Sequence, residues 1–255
     1  MIHREKRAVC SRRPAARFRR TSETRPLSCG VRGATDGVEL RDARPRSFTA
    51  SSAAAWHARE MEPSQFERAL AAMDAVHAED PSVELEGERR APAELLYAER
   101  MTARLAVIAP EASEALRLAA RAQHLARFRV PRSSQPDGRA GYLKWRTEQQ
   151  RAHAALAREI LAQAGYDDAM QERVSALVTK KNLTTDADAQ ALENCACLVF
   201  LEHYLEAFAA NERDEDVVAI LQKTWTRKMS AKARERALAL ALPPRARALV
   251  ARALA

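Results

Sequence analysis

From Met61 to the C-terminus, apolar residues recur at intervals of three and four almost without a break, the period of a single buried helical face. Phe66, Leu70, Met73 and Val76 set the pattern over residues 63–79. No stretch alternates as a half-exposed strand does, and no 20–50-residue repeat or coiled-coil heptad emerges. The 255 residues include only seven glycines, which argues against a turn-rich sandwich or barrel and against a glycine-rich nucleotide loop. A chain of this kind buries its apolar stripes by packing helix on helix. The expected fold is all-α, a single compact multi-helix domain over residues 61–255.

Breaks in the period divide this region. Pro63 suits a first helical turn, residues 80–91 read as a polar connector, and Pro92 starts a helix running through Ile108. Pro110-Glu-Ala-Ser-Glu marks a helix start with acidic residues in its first turn, and that helix reaches about His124. Two prolines and the turn Pro136-Asp137-Gly138 make Arg127–Gly138 a loop. Arg139–Ala164 is a long helix that Gly165 closes as a C-cap. Further helices are expected over Asp167–Lys181, Asp186–Ala210, 214–228, 230–240 and 243–254.

The formal charge of +8 is confined to one end. Residues 1–60 hold 14 of the 42 Lys+Arg and 6 of the 34 Asp+Glu, leaving 28 of each in residues 61–255. This first segment lacks periodicity and is rich in Arg, Ser, Pro and Gly, so it is expected to be a disordered basic tail or the product of a start codon set too early. It has no apolar stretch of secretory-signal type. An organellar transit peptide fits the Arg and Ser content, but Glu5, Glu23, Asp36, Glu39 and Asp42 weigh against it. With no run of 18 apolar residues, no membrane-spanning helix is expected. Cys10 and Cys29 fall in the tail. Cys195 and Cys197 sit about 200° apart on one helix, unable to bridge or to share a metal. That cysteine usage fits a reducing cytoplasm.

Chemistry-bearing residues concentrate in one stretch. Arg121, Arg127, Arg129, Arg132, Arg139, Lys144 and Arg146 are opposed only by Asp137, with Phe128, Tyr142 and Trp145 interleaved. Arginine offers a planar fork of donors matched to phosphate, and aromatic rings offer stacking faces to bases. Tyr142, Arg146, Gln149 and His153 share one helical face with the apolar Leu156 and Ile160. An inward Arg146 needs an acid or an anion. Two readings stay open: a buried Arg146–Glu193 pair, or a ligand pocket. The expected ligand-binding set is Arg121, His124, Arg127, Arg132, Arg139, Tyr142, Trp145, Arg146 and His153, with Lys180 and Lys181 as further cations. His124, His153 and Glu193 are the candidates for any catalysis. No GxSxG, HExxH, P-loop or CxxC motif is present.

The string Arg121-Ala-Gln-His124-Leu-Ala-Arg127-Phe128-Arg-Val-Pro131-Arg132, with Arg139-Ala-Gly141-Tyr142-Leu-Lys-Trp145-Arg146, carries a family resemblance. So do Glu94-Leu-Leu-Tyr97-Ala-Glu99-Arg100-Met101 and Leu192-Glu193-Asn194-Cys-Ala-Cys-Leu-Val-Phe200-Leu-Glu202. Together they resemble the domain-of-unknown-function family numbered 4202, an all-α family of bacteria and plants, over roughly residues 64–254. Phe128 and Asn194 depart from its pattern, which has Trp and Asp there. The resemblance implies the fold and leaves residues 1–60 outside it, but it implies no established activity.

The chain more weakly resembles the HD-domain phosphohydrolases, whose helices place His, His-Asp and a later Asp around a divalent metal. The segment ending at His124 would match the His-Asp helix, His153-Ala154 the next, and Leu192–Leu198 the last. Leu125 and Asn194 stand where the two aspartates would, and no His occurs between residues 78 and 123. A metal of that design is disfavoured, no cofactor is expected, and the resemblance implies a helical pocket retuned toward Arg and Lys. Three functions therefore compete. They are a domain binding a phosphate-bearing small molecule or a nucleic acid such as an RNA end, an HD-like metal-dependent phosphohydrolase, and a structural or interaction protein without ligand. Oligomeric state is not legible in the residues.

Overall fold

The computed structural model describes residues 62–255, so the expectations for residues 1–60 lie outside the described residues. Helix α1 (Gln65–Ala78) begins with a capping box: the Ser64 hydroxyl accepts the Glu67 amide, and the Glu67 carboxylate accepts the Ser64 amide. Pro63 therefore precedes the cap instead of entering the first turn.

Residues 80–91 are not the featureless connector that the sequence suggests. Strands β1 (Val83–Glu86) and β2 (Arg89–Pro92) pair antiparallel, with Glu86 opposite Arg89 and Gly87 at φ +61° in the turn. The alternation is present but inverted. Glu84 and Glu86 turn toward the protein, where Arg100 meets them at 3.2 and 3.1 Å, while Val83 and Leu85 are exposed. A strand whose protein-facing side is charged gives no hydrophobic signal.

Helix α2 (Ala93–Ile108) follows with Pro92 at its cap. Helix α3 (Glu114–Arg121) starts later than the Pro110 pattern suggested, because the Ser113 hydroxyl caps Leu116. It also ends earlier, since His124 and Ala126 take left-handed conformations. Two short 3-10 turns then lead into α4 (Arg139–Ala164), which Gly165 closes at φ +95° as expected. Helix α5 (Asp168–Val178) is capped by Asp167 and α6 (Ala187–Val199) by Asp186. The helix expected through Ala210 continues as a π turn over Phe200–Tyr204 and a short α7 (Leu205–Ala209). Helices α8 (Asp214–Arg227), α9 (Ala231–Leu238) and α10 (Pro244–Leu254) complete the chain.

Helix α4 packs on α1 and α5, α2 on α3 and α6, and α8 on α10. Two apolar clusters result, and α6 supplies both. Cys195 is buried in the cluster of α1–α6, whereas Cys197 is buried in the cluster completed by α7–α10. Their opposed directions follow from a two-residue step on a helix. Leu116, Leu161 and Leu177 are among the fully buried side chains of the first cluster, and truncating such a leucine to alanine costs about 2–5 kcal/mol. Among the described residues no helix is long and apolar enough to cross a membrane.

Candidate functional site

Three segments converge on a cleft of about 100 Å³. The turn after α3 supplies Gln123, His124 and Arg127. Helix α4 supplies Tyr142, Trp145, Arg146, Gln149, Gln150 and His153, and the end of α5 supplies Val178 and Lys180. The α4 residues recur at three- and four-residue steps, so one straight helix face forms the floor. The two turns forming its sides share an unusual backbone. Among the described residues, the four non-glycine positions of positive φ are His124, Ala126, Lys180 and Asn182, at 57–61°. Such conformations cost about 1–3 kcal/mol each and persist where surrounding structure imposes them, often at functional sites.

The cations of the cleft are held in different ways. Arg127 lies over the Trp145 ring, 5.1 Å from its centroid, with one guanidinium nitrogen 3.8 Å from Glu94. Lys180 pairs with Glu193, which Lys228 also meets, at 3.0 Å. Arg146 has no ion pair or hydrogen bond among the described residues. The Arg146–Glu193 pair is thus not formed. Helix periodicity placed both residues inward, but the lysines that neutralise Glu193 come from the turn after α5 and the end of α8. Burial pushes the Glu193 carboxyl up, and the two ammonium groups outweigh it, holding its pKa at about 2.

Both histidines of the cleft are neutral near pH 7. His153 is 5% exposed and its Nδ1 lies 2.6 Å from the Leu125 carbonyl oxygen. A carbonyl can only accept, so Nδ1 carries the proton and Nε2 is left as an acceptor. Burial pushes the His153 pKa down to about 4. His124 stacks on Tyr97, with ring centroids 4.2 Å apart, and its Nδ1 is 3.3 Å from Glu94. Burial, followed by the Arg127 charge, pushes its pKa well below the usual histidine value.

The remaining sequence-predicted residues are placed elsewhere or occupied otherwise. Arg121 turns toward α1 and α2, gripping both Asp74 oxygens at 2.5 and 2.7 Å and reaching Thr102. Arg132 ties its own loop, donating to the carbonyls of Gln135, Pro136 and Gly138. Arg139 is exposed at the start of α4 and is not a wall of the cleft. Lys181 faces Glu172 at 3.7 Å. Trp145 is buried, donates Nε1–H to the Val130 carbonyl at 2.9 Å and has Arg127 over its ring. Tyr142 lines the cleft, and its ring centroid lies 6.4 Å from that of Trp145.

Sequence reasoning assigned no role to Glu94, Gln123, Gln150 or Val178. Glu94 could have been suspected, since an acid in the first turn of α2 lay inside a string already singled out. The position matched to the distal aspartate of the HD pattern faces away from the cleft. Asn194 accepts the Ser230 amide and donates to the Ser230 hydroxyl, each at 3.0 Å, fastening α9 to α6. Among the described residues no three His, Cys, Asp or Glu side chains gather as a metal-holding group.

A family model described as "Domain of unknown function (DUF4202)" matches residues 67–250, well over half of the chain. No curated protein and no solved structure matches it.

Proposed function

This chain belongs to the DUF4202 family, and we propose that it binds a phosphate-bearing ligand, a nucleotide or an RNA end, in the cleft between α4 and the turns after α3 and α5. The observation that carries this reading is Arg146. It lines the cleft without a counter-charge among the described residues, while Arg127 and Lys180 stand on the other two walls. An arginine so placed seeks an anion, and its fork of donors fits phosphate oxygens. Glu94 and Glu193 offset part of the charge of Arg127, Lys180 and Lys228, and Arg146 keeps the excess positive. The strained backbone at His124 and Lys180 supports a site that is set in advance. The side chain of Tyr142 would meet the base of a nucleotide at the mouth. Cys195 and Cys197 are buried thiols with pKa values pushed up to about 12 by burial, which suits a reducing compartment such as the cytoplasm.

Thermal melts of the full chain with inorganic phosphate, nucleotides and a short 5′-phosphorylated RNA test the reading. A ligand present at about 100 times its Kd stabilises by about 2.7 kcal/mol, an easily measured shift. Melts unmoved by every one of these probes would leave the cleft with a purely structural role.

A further inference from the structure

Two neutral groups on the cleft floor say more about the ligand than the cations do. Gln149 and His153 stand one turn apart on the same face of α4, each 5% exposed and each lining the cleft. The Gln149 amide has no hydrogen-bond partner among the described residues. The His153 ring spends Nδ1–H on the Leu125 carbonyl, so its Nε2 offers only a lone pair. An amide that can donate and an imidazole nitrogen that can only accept therefore face the cleft from successive turns of α4, open to whatever enters it.

A phosphate alone does not satisfy this pair. Near pH 7 a phosphomonoester is mostly doubly ionised and presents acceptor oxygens, its second pKa being about 6. Such oxygens suit Arg127, Arg146, Lys180 and the Gln149 N–H. Against the His153 Nε2 they set lone pair against lone pair. A hydroxyl meets both neutral groups at once, donating O–H to Nε2 and accepting N–H from the amide.

We propose that the ligand is a hydroxylated phosphate ester, of the sugar-phosphate or ribonucleotide class, whose hydroxyl is read by Gln149 and His153 while its phosphoryl group lies among Arg127, Arg146 and Lys180. This rests on the anion-cleft reading and narrows it. The two neutral residues set specificity, and the three cations set the requirement for phosphate.

Calorimetric titrations of the full chain with methyl phosphate, ribose 5-phosphate and adenosine 5′-monophosphate at about pH 7.5, roughly one and a half units above the second phosphate pKa, test it. At least one hydroxylated ester should bind about tenfold or more tightly than methyl phosphate, the effect of one well-made hydrogen bond in a desolvated site. The two esters separate a free sugar phosphate from a nucleotide as the source of that chemistry. Gln149→Met keeps the volume and removes the amide, which bonds nothing among the described residues, so the fold should persist. In that variant the preference should fall to about twofold or less. Methyl phosphate binding as tightly as both esters, or a preference that survives Gln149→Met, overturns the hydroxyl assignment and leaves the anion cleft standing. Binding by none of the three, or binding unchanged by Arg146→Met, overturns the anion cleft itself and this inference with it.

Discussion

Lys228 Nζ lies 3.0 Å from Oε1 of the Glu193 carboxylate, whose Oε2 is gripped by Lys180. The carboxylate is buried, whereas the lysine side chains keep 20% and 32% of their surface in contact with solvent. That asymmetry decides which deletion is worse. Glu193→Gln leaves two ammonium groups that can reach water, and should cost about 2 kcal/mol. The double change Lys180→Met, Lys228→Met strands a buried anion and should cost about 4 kcal/mol, within the range for breaking a buried pair from one side. Urea melts at pH 7 measure both. Equal costs would show that the carboxylate is better solvated than its burial implies.

Acid should weaken the fold in two stages. The His153 pKa is lowered from 6.5 to about 4, so below pH 6.5 the unfolded chain binds more protons than the folded one. Its contribution is complete above pH 6.5 and is lost as the pH falls toward 4. His124 and His77, both also lowered by burial, add to the same stage. Glu193 is lowered from 4.5 to about 2, so its contribution is lost between those values. Urea midpoints followed down the pH scale should show both slopes. His153→Gln should shrink the upper one and Glu193→Gln the lower one. A flat response between pH 6.5 and 4 would contradict neutral, buried histidines.

The loop leading into α4 is pinned by a close approach. A Cβ at Gly141 would lie 1.9 Å from the Pro136 carbonyl oxygen, a backbone atom that cannot rotate away. Gly141→Ala must therefore move the loop or α4, and should cost about 3 kcal/mol, at the upper end for overpacking. Gly138 has open space at its Cβ position, so Gly138→Ala meets only the strain of φ +89° and ψ −180°, a region nearly confined to glycine, about 1–3 kcal/mol. Parallel melts compare the two, and a milder effect at Gly141 would mean that the loop yields freely.

Much of this architecture was legible because helices announce themselves by period and caps. Gly165 ended α4 where the sequence placed its end, and the shared face of Tyr142, Arg146, Gln149 and His153 became the cleft floor. Partners were not legible. Periodicity gives the direction in which Glu193 points but not what it meets, and its lysines stand 13 and 35 residues away on other segments. Arginine density was a coarse guide for the same reason. Arg121 and Arg132 are arginines like Arg127, yet Asp74 and three loop carbonyls claim them. The hairpin escaped notice because the inward side chains of β1 are glutamates, held by Arg100.

Arg146→Met separates a ligand site from a structural cluster most directly. The substitution keeps volume and apolar stem while removing the charge and every donor. If Arg146 held the fold together, it would need an acid, and among the described residues it has none. Its removal also relieves repulsion from Arg127 and Lys180, so folding stability without ligand should hold or rise by a few tenths of a kcal/mol, roughly. Phosphate binding should weaken by about 2–3 kcal/mol, the loss of charge-assisted hydrogen bonds in a partly desolvated cleft. Urea melts with and without phosphate measure both quantities on the same samples. A variant that loses several kcal/mol of stability and none of its phosphate response would place Arg146 in the framework of the fold and remove the anion from the cleft.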